Sequence, residues 1–469
     1  MKKTLYIILL LVIANIQWAE AQQNTLYFMT GMPHASLHAN PAYQPHCKVF
    51  VGLPIMPLPT MDLSIGFTGW SSKDMFYPVN GTIRDSSLNI AGMIDKAANK
   101  NYINLGVNMD IINFGFRTEG KMYWTFGIRQ RVESHFGIPK GLFSLINSGN
   151  FDMASNTSRT LSFSGFGLNA MSFTETAIGA SKEIQAGGSP LILGARIKYL
   201  RGNANINFKR SKLQIDTDPK FYDLTLRADY EIRMSAPVDV YESNGMIDSV
   251  LEKDKIDANK DFLNAGNHGL GLDLGAVYKF DSKTTFSAAI QDLGFIKWKT
   301  NATVLKCKGD FIFPGVEVAL VDRDTSKDNS LLDSIKKEFQ FVKTNEAYKT
   351  GLYTQINLAA SYQILEKILL GALIRTVVYD RKPHPSLTLS ANFKPFKWLH
   401  ASLSYSIINR SFSNLGYALV IGNRGYQFYT AMDNFGAALF PKNARLFNYR
   451  MGFVMMFGCK EKQDQSLIE

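Results

Sequence analysis

Cysteine, charge and long apolar runs are all scarce in this chain, and each scarcity removes a class of protein. Three Cys among 469 residues cannot staple a disulfide scaffold. Charged residues make up 19 %, below the roughly 25 % of ordinary globular domains, which argues against a soluble multidomain protein. Beyond the N-terminus the longest uncharged aliphatic run is Ile368–Ile374, bounded by Lys367 and Arg375. That is far short of the ~20 residues a membrane helix needs. Catalytic signatures are missing too: the sequence holds no G-x-S-x-G elbow, H-E-x-x-H helix, Walker loop or Rossmann glycine fingerprint, so no enzyme is expected.

What is present points outward from the cell. Met1, Lys2 and Lys3 form a basic n-region, Leu5 to Ile16 an apolar h-region, and Ala19-Glu20-Ala21 a small-residue cleavage site. A signal peptide over residues 1–21, cut between Ala21 and Gln22, is expected. Loss of Lys2, Lys3 and Glu20 takes the formal charge from +11 to +10. Export removes nucleic acid as a partner, and no basic patch interleaved with stacking aromatics occurs.

Aromatics reach 12 % and Gly numbers 36, a composition that suits a surface in contact with lipid. Strand after strand alternates with period two. Met61, Leu63, Ile65 and Phe67 alternate with polar or small residues, as do Leu224 to Met234, Leu270 to Phe280, Leu399 to Ile407 and Phe447 to Phe457. Twelve further segments read the same way, near 103–117, 121–133, 158–169, 171–184, 190–200, 204–215, 284–294, 351–364, 367–379, 385–393, 414–422 and 424–432. Segments of about 9–12 residues match tilted strands crossing a bilayer. Single-chain bacterial barrels have even strand counts, so the seventeen candidates reduce to about 14, with 16 as the alternative. Turns are expected at Glu119-Gly120-Lys121, Gly187-Gly188 and Arg201-Gly202-Asn203, and short helices at Ser87–Asn99 and Ser330–Val342.

The fold class expected is therefore all-β: a transmembrane antiparallel β-barrel, with an N-terminal hatch or plug over 22–59, the barrel over 60–458 and a tail over 459–469. Trp70, Tyr102, Tyr123, Trp124, Trp298, Trp398, Tyr426, Phe428 and Tyr429 are expected to form interfacial girdles. If the apolar strand faces meet lipid, the charges opposite them line the lumen: Arg129, Arg131, Arg196, Lys198, Arg227, Asp229, Glu231, Arg233, Asp273 and Arg450. These can attract an anionic group, or pair among themselves as packing. Cys47 precedes the first strand and Cys459 follows the last, which are neighbours in a closed barrel. A Cys47–Cys459 disulfide and unpaired thiols are both open.

Other clusters are weaker. His34, His38, His46 and Cys47 bring N and S donors together, but in no standard metal spacing. Asp322, Asp324, Ser326 and Asp328 imitate a Ca²⁺ loop that lacks its Gly and terminal Glu. His400 beside Ser402 is alternation along one strand. No cofactor, metal or catalytic residue is assigned.

Several segments taken together resemble a Bacteroidota outer-membrane barrel family of unknown function: Ser36–Tyr43, Phe173–Lys182, Gly271–Tyr278, Gln291–Trp298 and Tyr449–Phe453. That family is distantly similar to FadL-type fatty-acid transporters and PorV-type secretion-accessory barrels. The resemblance implies a 14-stranded barrel with a hatch, and Asn40, Pro41 and Ala42 match the FadL-type N-terminal signature. The expected location is the outer membrane of a Gram-negative bacterium. The expected function is passive uptake of hydrophobic or amphiphilic small molecules; the alternative is a non-transporting accessory barrel serving secretion or surface-protein assembly. Partners follow each reading: membrane lipid in both, a hydrophobic or amphiphilic ligand in the first, secretion or assembly proteins in the second.

Overall fold

Period-two alternation gives a sheet one apolar and one polar face, and closing the sheet on itself leaves no unpaired edge. The computed structural model of the chain describes residues 24–29, 37–52, 60–79, 82–149, 151–152, 157–158, 160–218, 220, 223–236, 238–243, 246–252, 266–313, 342–379, 382–408, 411–423, 425–439 and 444–459. It shows a closed antiparallel barrel of fourteen strand positions.

In chain order the positions are β1 (Val49–Gly52, resumed at Met61–Phe67), β2 (Lys100–Thr118), β3 (Met122–Pro139), β4 (Gly167–Ala186) and β5 (Ser189–Thr217). Then come β6 (Leu224–Ser235, resumed at His268–Lys279), β7 (Thr284–Trp298 and Ala302–Phe313) and β8 (Val342–Thr344, Tyr348–Gly351 and Thr354–Leu365). The rest are β9 (Ile368–Tyr379), β10 (Lys382–Phe396), β11 (Leu399–Ile408), β12 (Ser411–Asn423), β13 (Tyr426–Met432) and β14 (Leu446–Phe457). The seam is β1: Phe50 lies opposite both Gly115 of β2 and Met456 of β14.

The seventeen segments read from the sequence become fourteen positions by three mergers. Segments 190–200 and 204–215 are one 29-residue strand, β5. The expected turn at Arg201-Gly202-Asn203 is a bulge inside it, where the pairing with β4 slips by one residue. Segment 158–169 supplies only the two-residue strands Thr157–Ser158 and Leu161–Ser162 and the start of β4. Segments 224–234 and 270–280 occupy the same position, β6, because both pair along the one long strand β5. The Ala302–Phe313 part of β7 carries no clean alternation and escaped the reading.

Connections sort by length. Those after β2, β4, β6, β8, β10 and β12 are tight and share an end with Cys47 and Cys459. Glycine enables one of them: Gly187 and Gly188 take φ of 61° and 85°. In the turn before β7, the Asp281 carboxylate accepts the N–H groups of Lys283 (2.7 Å) and Thr284 (2.6 Å), and the Lys283 bond first of all holds that carboxyl below its usual pKa. The long connections 68–99 and 140–166 lie at the other end. Two helices longer than one turn pack there, α1 (Ile90–Lys96) and α2 (Lys140–Ser148), around Trp70, Met93 and Phe143. The first is shorter than expected because Thr82–Leu88 is a strand and Asn89 caps the helix, its Oδ1 accepting the Gly92 N–H at 2.8 Å. Residues 330–341 of the second expected helix, and the Asp322–Asp333 loop, lie outside the described residues. Val342 itself starts a strand.

β1 begins at Val49, so Val49–Gly52, inside the expected hatch span 22–59, is wall, and residues 53–59 lie outside the described residues. Outward positions are apolar and exposed, for example Ile178, Ile197, Leu270 and Leu403. Of the expected girdle, Trp124, Trp398 and Tyr426 are exposed, whereas Trp70, Tyr102, Tyr123, Trp298 and Tyr429 are buried. Alternation is the reason: in pairs such as Tyr123-Trp124 only one ring can point outward.

Candidate functional site: the plugged lumen

The lumen is filled from the N-terminus. Residues 24–29 and 37–47 run inside the wall and are almost wholly buried. At one point Asp433 accepts the backbone N–H of Asn24 (3.0 Å) and of Thr25 (2.8 Å). Asn448 Nδ2 donates to the same carboxylate at 2.6 Å. At another, Asn40 closes a turn by accepting the Ala42 N–H (2.9 Å), and its Nδ2 donates to the carbonyls of Ala276 (3.3 Å) and Ala288 (3.2 Å) on the wall. Wall glycines make this approach feasible. A Cβ on Gly275 would sit 2.0 Å from Asn40 Oδ1, and one on Gly194 2.3 Å from the Pro41 oxygen. Around these anchors the chain packs apolar side chains on both sides, Leu26 against Val420 and Tyr429, and Phe28 and Tyr43 against Leu369 and Leu373.

Where this segment meets β1, a disulfide joins Cys47 to Cys459 across the seam. Cys307 is a free, buried thiol in β7. His38 is drawn into the lumen, its Nε2 3.3 Å from Asp110. No group of three or more metal-ligating residues forms among the described residues.

The ten charges named from the sequence fall into two places. Five of them, Arg129, Arg131, Arg196, Lys198 and Asp273, join Arg450 in the buried lumen. There Asp292 accepts from Arg131 (2.9 and 3.0 Å) and from Lys198 Nζ (2.6 Å). Asp273 takes the other side of Lys198 at 2.8 Å, and Glu175 accepts from Arg131 at 2.9 Å. A neighbouring group sets Arg129 3.3 Å from Asp110 and 3.9 Å from Asp62, which pairs in register with Arg450. The other four, Arg227, Asp229, Glu231 and Arg233, climb β6 to the open mouth. Arg227 is half exposed and bonds Asp216 at 2.6 Å; Arg210 bridges Asp229 (3.0 Å) and Glu231 (3.2 Å). They share the lumenal face but not the buried cluster.

Above the plug, rings from opposite walls meet. His135 of β3 stacks on Tyr379 of β9 (4.7 Å, 7°), and His384 of β10 stacks on Tyr379 (3.6 Å, 9°). Tyr353 and Tyr102 abut Tyr379 edge-on at 6.3 and 5.7 Å. Positions 3 and 9 lie nearly across the ring, so this stack roofs the lumen. Between it and the plug lies a cavity of about 130 Å³, lined by Leu26, Tyr27 and His38 on one side and by His135, Tyr353 and Val377 on the other. Six cationic side chains and four carboxylates complete its wall.

Sequence reasoning missed the acids Glu175, Asp292, Asp110, Asp62 and Asp433, and the whole roof. Glu175 was readable, since it alternates in phase with buried Phe173 and Ala177. Asp292 was not. It sits with φ of 58° in a bulge opposite Asp273, which turns a residue of uncertain parity into the lumen. His400 and Ser402 are both buried wall residues.

A family model, the DUF5723 family of unknown function, matches residues 41–433. The chain belongs to the DUF5723 family. No curated protein matches it. Among solved structures this DUF5723 chain is similar to the toluene transporter TbuX of Ralstonia pickettii, at 11 % identity and a TM-score of 0.42, over 94 % of this chain and 99 % of that one. It is also similar to the Pseudomonas putida toluene transporter TodX (10 %, TM-score 0.35, 94 % and 98 % covered). A Pseudomonas aeruginosa FadL homologue stands at 10 % and 0.38, covering 94 % and 100 %.

Proposed function

We propose that the chain is an outer-membrane barrel that passively admits small amphiphilic molecules through its lumen. On this reading the leader directs export, and the short-turn end, which carries Cys47 and Cys459, faces the periplasm, the usual arrangement of such barrels. Residues 24–29 and 37–48 act as the hatch and Asn40-Pro41-Ala42 as its hinge point on the wall.

The cavity between hatch and roof is the observation that carries the reading. A barrel built only as scaffold can fill its lumen completely, whereas here a chamber is kept between two closures. Six cationic side chains line its wall with their carboxylate partners among and behind them, and its floor offers Leu26 and Tyr27. An anionic head with a short apolar body fits that division better than a bare hydrocarbon does. Burying the head beside Arg196 and Arg450 would replace its lost hydration with charge-assisted hydrogen bonds.

The test is purification from native outer membranes followed by mass spectrometry of co-purified lipids, small molecules and proteins. An acidic amphiphile recovered without a stoichiometric protein partner supports uptake. A stoichiometric partner with no small molecule would overturn it in favour of an accessory barrel.

A further inference from the structure

The outward face of a membrane barrel is expected to be free of charge across the apolar band. On β9 to β12 and β14 it is: Leu370–Val378, Pro385–Phe393, Leu399–Ile407, Leu415–Ile421 and Phe447–Phe457 carry no charge at their outward, alternate positions. Strands β5 to β8 break the pattern on one level of their lower part, and Lys343 of β8 faces outward again only higher up. Arg201 of β5 pairs directly with His268 of β6, His268 with Lys297 of β7, and Lys297 with Lys349 of β8. All four are in phase with the outward residues of their strands, such as Tyr199, Leu270 and Phe295. Lys297 and Lys349 are like charges in direct cross-strand register, which is destabilising unless something neutralises them, and Arg201 stands on the same level two strands from Lys297. Among the described residues none of the four has a carboxylate partner. His268 Nδ1 bonds the Tyr199 hydroxyl at 2.7 Å, and Lys349 Nζ lies 4.7 Å over the Phe295 ring.

The level of the row is informative. Ten residues separate Leu191, at the short-turn end of β5, from Arg201. At ~3.3 Å per residue and a tilt near 45°, that is a height of roughly 23 Å, close to the ~25 Å of an outer-membrane apolar band. The row therefore lies at the headgroup boundary on the long-loop side, directly above exposed Ile197, Leu270 and Ile178.

We propose that Arg201, His268, Lys297 and Lys349 form a binding site for a phosphorylated glycolipid of the outer leaflet. Its phosphates lie along the row and its acyl chains on the apolar face beneath. Arginine and lysine at a membrane surface attract anionic headgroups, and arginine can hold a phosphate through two parallel N–H bonds. The proposal goes beyond uptake but rests on the outer-membrane orientation above.

The experiment is native mass spectrometry of the full barrel in detergent with three probes: phosphorylated lipid A, dephosphorylated lipid A and inorganic phosphate. Wild type should retain the phosphorylated lipid, and neither of the other two at equal concentration. Arg201→Gln/Lys297→Gln/Lys349→Gln should bind about tenfold or more weakly, while Lys297→Arg/Lys349→Arg keeps binding. Lys212→Gln/Lys306→Gln, which removes charge at the lumenal mouth, should bind as wild type does. A heat-shifted gel band confirms that each variant is folded. Equal retention of both lipids, phosphate binding alone, or an unchanged triple variant would overturn the site. Failure of the uptake test leaves this measurement unaffected, so the two proposals fail separately.

Discussion

A carboxylate fixed between two cations decides how the lumen is held at the scale of single residues. Asp292 is buried and bonded to both Arg131 and Lys198. Removing one member of such a network leaves uncompensated buried charge, at a cost of about 3–5 kcal/mol. Asp292→Asn should therefore unfold at lower urea, followed by tryptophan fluorescence of the barrel in detergent; an unshifted midpoint would contradict the network's role. Gly275 is a different kind of residue, permissive only because it has no Cβ. Gly275→Ala should push Asn40 off the wall and speed hydrogen exchange across residues 37–47 while wall strands stay protected. Uniform protection would show that the close approach is not needed. Residues of the first kind were partly legible in the sequence, because alternation marks Arg131 and Lys198 as facing opposite to Val132 and Ile197. Residues at bulges were not, because a bulge resets the parity on which that reading depends. The roof was invisible for another reason. His135, Tyr379 and His384 meet only because the barrel brings strands 3, 9 and 10 face to face.

At the scale of elements, the reading of strands was strongest where one strand pairs with one neighbour over its whole length, as in β9 to β12. It failed where β5 serves two partners, pairing its upper half with Leu224–Ser235 and its lower half with His268–Lys279. Sequence shows the two partners as separate strands; only pairing shows them as one. The seam is the other element with a consequence. The Cys47–Cys459 bond closes a span of 412 residues and ties the root of the plug to the last strand. Cross-links over long spans restrict the unfolded chain and commonly contribute about 2–5 kcal/mol. Cys47→Ser/Cys459→Ser should lower the thermal midpoint of the barrel, and reductant should do the same to wild type but not to the variant. Identical midpoints in all four conditions would show that the bond carries no stability.

For the whole molecule, low charge and high aromatic content have resolved into three surfaces: an apolar outer wall, a charged lumen and a ring stack across it. The central claim is that this lumen is closed at two levels, by residues 24–29 and 37–47 below and by the His135–Tyr379–His384 stack above, with a chamber between. Single-channel recording in planar bilayers tests it most directly. Wild-type barrel should give no steady open-pore current. The double variant Asp433→Ala/Tyr379→Ala, which releases one plug anchor and the centre of the roof, should give discrete conductance steps. Steady pore current from wild type, or silence from the double variant once its folded state is verified, would contradict the account.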